Sequence, residues 1–118
     1  MSQSSKRLSI LLESDINELY SPPSLTSEQR RHYFSLNDIE LDSFNRYKDR
    51  YSKLYFVLLL GYFKTKPVIL NFTFSQVKDD FKFAASEYFP DNIFKQQNLS
   101  RSQKSPIYNR IFNINNYN

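Results

Sequence analysis

The 118-residue sequence contains no cysteine, which excludes a disulfide framework, thiolate catalysis and any metal held by thiolates. Such a chain suits a reducing compartment, and the cytosol is the simplest assignment. Glycine occurs once and proline five times, so few of the tight positive-φ turns favoured by hairpins can form. The expected class is therefore all-α, with helices joined by short polar connections. Apolar runs are short as well. The longest, Leu54 to Phe63, is about half of the ~20 residues needed to cross a bilayer, so it is expected to be a buried core helix and no membrane partner is expected. The polar stretch Met1 to Arg7 is followed by only five apolar-rich residues, Leu8 to Leu12, without a small-residue cleavage pattern, so secretion is not expected.

Chemistry-bearing patterns are equally scarce. The single histidine, His32, has no companions in the spacing of a metal site and no nucleophile placed beside it by a motif, so boundary packing is its expected role. Asp79 and Asp80 are adjacent and so do not share a helix face; in a first turn they suit the helix dipole as solvated caps. There is no phosphate loop, dinucleotide fingerprint or zinc spacing. No catalytic constellation, cofactor or metal is expected.

What the chain has is aromatic bulk and unevenly spread charge. Its 11 Phe and 9 Tyr give each helix one or two large anchors, enough for a self-sufficient core at this length. The net charge is +4, but residues 1–44 hold four basic against seven acidic side chains, and residues 45–118 hold twelve against five. The second part is thus strongly basic and makes nucleic acid the first partner to consider. A genome rich in A and T would also favour Lys, Asn, Ile, Phe and Tyr codons and raise the pI to 9.3 without a ligand, so charge alone leaves both explanations open.

Capping and periodicity outline the elements. Ser14 caps a short helix whose stripe is Ile16, Leu19 and Tyr20, and Pro22-Pro23 stops it. Thr26 with Gln29 is a capping-box pair and Asn37 with Glu40 a close variant, and they open two more helices. The central helix follows as "SKLYFVLLLGYFKTKP", with Gly61 marking either a close approach by another element or mere drift. Val68 to Phe74 reads as a packed, extended connection, since no second strand is available to pair with it. Ser75 caps an amphipathic helix with Val77, Phe81, Ala84, Ala85 and Tyr88 on one side, stopped by Pro90. Asp91 caps a short turn through Phe94, Ser105-Pro106 opens a last helix, and "RIFNINNYN" is expected to fray.

The ordered blocks Leu25 to Arg30, Tyr33 to Leu36, Leu54 to Tyr62 and Phe63 to Lys66, followed by "FSQVKDDFKFAASEYF" and "LSRSQKSPIYNRI", resemble the amino-terminal domain of the replicative transposases of the Tn-three family. The resemblance covers about residues 8 to 112; no single motif is diagnostic, and the order carries the likeness. Pro106 departs from it, standing where the family has a basic or polar helix residue. The resemblance implies a small helical domain with helix-turn-helix character around one central apolar helix. Its implied role is to bind double-stranded DNA at the transposon's terminal inverted repeats, beside other transposase chains. Catalysis in that family lies in a distant carboxy-terminal domain with an acidic metal-binding triad, to which nothing here corresponds, so the chain is not expected to be an enzyme by itself. On this basis residues 1–98 are expected to form the DNA-binding domain and residues 99–118 the start of a truncated second subdomain or a frayed end.

Two basic groups are then the candidates for phosphate contact. Arg46, Lys48, Arg50 and Lys53 precede the central helix, and Lys64 and Lys66 close it. Arg101 and Lys104, together with Arg110, form the second group. For both, a solvated surface with snorkelling side chains is the competing explanation. A protein-interaction or regulatory fragment, or a non-functional remnant of a transposase gene, are the alternatives to DNA binding.

Overall fold

The computed structural model describes residues 21–67, 70–95 and 97–116. The helix expected from Ser14 to Tyr20 lies outside the described residues. Within them there are five α-helices, one 3-10 turn and no strand: α1 (Ser27–Tyr33), α2 (Asp38–Arg46), α3 (Arg50–Thr65), the 3-10 turn (Phe74–Val77), α4 (Lys78–Tyr88) and α5 (Arg101–Asn116).

Helix α3 is the hub because its sequence is apolar all round, and such a helix must be covered on every side. Leu54 through Tyr62 are all buried. The other four helices pack against or around it, α5 and α4 most extensively. Asp49 caps α3 by accepting from the Ser52 amide at 3.1 Å. Both capping boxes form: the Thr26 hydroxyl accepts from Gln29 N and the Gln29 side chain from Thr26 N, and Asn37 and Glu40 exchange the same pair of bonds.

Gly61 marks a close approach. A Cβ built on it would lie 2.3 Å from Cδ1 of Phe34, the residue that ends α1. Without a side chain at 61, the Phe34 ring lies directly against the α3 backbone, 1 % exposed and edge-on to Tyr62.

The tyrosines of the core use their hydroxyls as ties. Tyr51 accepts from the Lys95 amide at 2.9 Å and donates to the Lys95 carbonyl at 3.2 Å, which fastens the segment after α4 to the start of α3. Tyr55 stacks on Phe72 and accepts from its amide, which fixes the extended connection before α4. Leu70 and Phe72 of that connection are buried, as expected for a packed link; residues 68 and 69 lie outside the described residues.

Four local expectations are corrected. The helix after the connection begins not at Ser75 but with a 3-10 turn, where the Gln76 side chain accepts from the Thr73 amide; the regular helix starts at Lys78. Asp91 lies within a turn, closed by the Asn92 amide donating to the Phe89 carbonyl at 3.1 Å, rather than capping one that runs through Phe94, and residues 92–95 are irregular. Asp80 is not a solvated cap: it is 6 % exposed, accepts from Arg30 Nε at 2.6 Å and from the Tyr62 hydroxyl, and so joins α1, α3 and α4. Finally, Ser105-Pro106 does not open the last helix and residues 110–116 do not fray. Ser100 and Gln103 exchange capping bonds, the helix starts at Arg101 with Pro106 inside it, and it continues through Asn116. Its inward residues Ile107 and Ile111 are fully buried in the same cluster as α3, so the core runs across the boundary drawn at residue 98.

Candidate nucleic-acid interface

The basic side chains sort by what they touch. Lys53 donates to the Phe44 carbonyl at 3.0 Å and lies 5.0 Å from the centre of the Phe44 ring, closing the end of α2. Lys64 donates to the Ser35 carbonyl at 3.1 Å and pairs with Glu40 at 3.1 Å. The Glu40 side chain is 7 % exposed. Lys64 therefore neutralises a buried carboxylate and is a poor phosphate ligand, since binding elsewhere would leave that charge unpaired. Lys104 donates to Asn71 at 3.0 Å and to the Phe72 carbonyl at 3.2 Å while lying over the Tyr55 ring. Burial lowers the pKa of both Lys53 and Lys104 from the ordinary lysine value. Two of the three, Lys53 and Lys104, donate to neutral carbonyls and a neutral amide among the described residues, so they still contribute to the surface field.

The group Arg46, Lys48, Arg50 and Lys53 is not one patch. The Arg50 guanidinium stacks 5.1 Å over Phe94, toward α4. Arg46 and Lys48 are exposed at the corner between α2 and α3. Arg46 pairs with Asp42 at 3.1 Å, with both side chains more than half exposed, a pairing that contributes little and yields readily to a phosphate. Between them Tyr47 packs its ring on Phe56 and feels the charge of Arg110 from α5; burial raises its pKa and that charge opposes the rise. The contact of α2 with α5 thus brings Arg110 beside Tyr47, whose chain neighbours Arg46 and Lys48 are exposed. At the other end of α5, Arg101 is exposed and shares a shallow depression of about 210 Å³ with Asn71, Lys104 and Tyr108. Lys66 is exposed beyond the end of α3, beside Ser21, Pro22 and Pro23.

The fold also builds a second basic surface. Lys78, Lys82 and Lys95 line a groove of about 440 Å³ whose floor includes Phe74, Phe81 and Phe94, and no acidic residue lines it. Lys78 and Lys82 are four apart on α4 and so share a face, a spacing that was present but masked by the intervening Asp79-Asp80.

The helices differ sharply in what they offer a polyanion. Helix α3 is enclosed. Exposed Asp38 and Asp42 give α2, the second helix of the α1–α2 pair, the sign of charge that phosphates repel. Helix α5 has no acidic residue in its sixteen, carries Arg101, Lys104 and Arg110, and presents Ser102, Ser105, Asn109 and Asn113 to solvent.

These features define a compact helical domain with a basic edge, along which α5 itself carries no acid. The family model named as a domain of unknown function (DUF4158) matches residues 10–118, and the chain belongs to that family. No curated protein matches the chain, and no solved structure does. No described helix is long and apolar enough to cross a membrane.

Proposed function

We propose that the chain binds double-stranded DNA through the edge built by α5 and the α2–α3 corner. The observation that carries this is the composition of α5: sixteen residues without an acid, with Arg101 and Lys104 in its first turn and Arg110, beside Tyr47, just past its middle. Arg46 and Lys48 extend the second group. Basic groups at the start of α5 and just past its middle, with one face of the helix left to solvent, suit a helix lying in the major groove, because phosphates flank the groove on both sides and contacts to them fix orientation. The likeness to Tn-three transposases supports the same assignment and narrows it to an amino-terminal DNA-binding part acting at transposon ends, with the chemistry supplied by another part of such an enzyme.

Fluorescence anisotropy with a labelled mixed-sequence 30-base-pair duplex tests the proposal. Affinity should fall between 50 and 200 mM salt, with a log–log slope of about −0.9 for each phosphate contacted. Lys48→Ala should flatten the slope by about one unit, and Lys64→Ala should leave it nearly unchanged. Absence of binding at 50 mM salt, or binding indifferent to salt, rejects the proposal.

A further inference from the structure

Resting on the DNA-binding proposal, we infer that α5 also reads sequence, and that Asn109 and Asn113 select adenine in the major groove. The two side chains are exposed and lie four residues apart, so they occupy one face of the helix together with Ser102 and Ser105. Among the described residues, neither Asn109 nor Asn113 has a hydrogen-bond partner for its side chain. The neighbouring amides are engaged: Gln103 accepts from the Ser100 amide at 2.8 Å, and Asn71 accepts from Lys104 and Tyr108. A carboxamide carries a donor and an acceptor on one plane, which matches the N7 acceptor and N6 donor that only adenine presents side by side in the major groove.

Geometry sets the register. Four residues of helix advance about 6 Å, close to two base-pair steps of about 3.4 Å each. The opposite face of α5 is held by Ile107 and Ile111 in the core. That anchoring makes the outward face rigid, as base reading requires and a mobile arm would not provide. Ser102 and Ser105 are small, so the groove wall can come close to the helix, while Arg101 and Arg110 lie toward its flanks.

Selection of the full chain on duplexes with a random twelve-base-pair centre, followed by anisotropy on the recovered sequences, tests this. The enriched sites should hold two adenines about two base pairs apart. Asn109→Ala should remove the preference at one adenine and Asn113→Ala at the other, each by about tenfold relative to the other bases, with affinity for unselected duplex kept within about twofold. Melting temperatures should stay at the parent value, since both side chains are exposed. If salt-dependent binding persists but no sequence is enriched, or the preference survives both substitutions, base reading by these residues is overturned and DNA binding stands. If no duplex is bound in a salt-dependent way, both fall.

Discussion

Replacing Gly61 by alanine is the sharpest test of how α1 seats on α3. The added methyl carbon would lie 2.3 and 2.4 Å from two carbons of the Phe34 ring and 3.1 Å from the Tyr33 carbonyl. Ordinary carbon contacts begin near 3.5 Å, so the ring would have to move by more than 1 Å. It has nowhere convenient to go, because Tyr62 and Phe83 flank it at 5.7 and 6.1 Å between centroids. Overpacking of this kind costs about 1–3 kcal/mol and more when the neighbour is rigid, whereas alanine recovers about 1 kcal/mol of helix propensity. The net expectation is a destabilisation of about 2 kcal/mol, or a fall in Tm of roughly 8 °C for a domain of this size. Thermal unfolding followed by circular dichroism reads it. Phe34→Ala should cost about 3–5 kcal/mol alone, and the double variant should cost less than the two single changes together by about 1–2 kcal/mol, because the new methyl enters the vacated space. A Gly61→Ala protein that melts at or above the parent temperature, or an additive cycle, would refute the close approach.

Asp80→Ala leaves the half-buried Arg30 guanidinium and the buried Tyr62 hydroxyl without their shared acceptor; unfolding in urea should show a loss of about 3 kcal/mol or more. Ile111→Ala should cost about 2–4 kcal/mol in the same assay, and an effect near zero would mean that α5 is not docked on α3. Burial raises the pKa of Tyr55, Tyr62 and Tyr88, in the last case to about 12. A folded value above the unfolded value of 10 favours the neutral phenol in the folded state, so this stabilisation is complete below pH 10 and is lost as pH rises beyond it. Chemical denaturation at successive pH values should show stability declining above pH 10. Absorbance near 295 nm should show several tyrosines ionising only as the fold is lost.

The helical architecture was written into local sequence features. Continuous apolarity from Leu54 to Tyr62 dictates an enclosed helix, the capping pairs Thr26 with Gln29 and Asn37 with Glu40 place two helix starts, and the lone glycine marks a possible close approach. Where local signals compete, tertiary packing decides between them. Ser105-Pro106 reads as a helix start while the start in the fold is set by Ser100 with Gln103, and the run of asparagines obscures the stripe Ile107, Ile111, Ile114 that seats α5 on the core. Burial of one apolar face holds the helix through a proline whose missing amide would otherwise favour a break.

The starts of α1 and α2 and the buried hub α3 follow from the sequence alone, because caps and periodicity act between residues three or four apart. Which cations remain available to a polyanion was decided only by the tertiary structure. Lys64 meets Glu40 across 24 residues, Lys104 meets Asn71 across 33, and Arg30 meets Asp80 across 50. The same folding leaves Lys48 and Arg101 exposed and gathers Lys78, Lys82 and Lys95 around one groove. A charge is neutralised or offered according to what lies within a few ångströms of it in space, and periodicity along the chain carries no record of that distance.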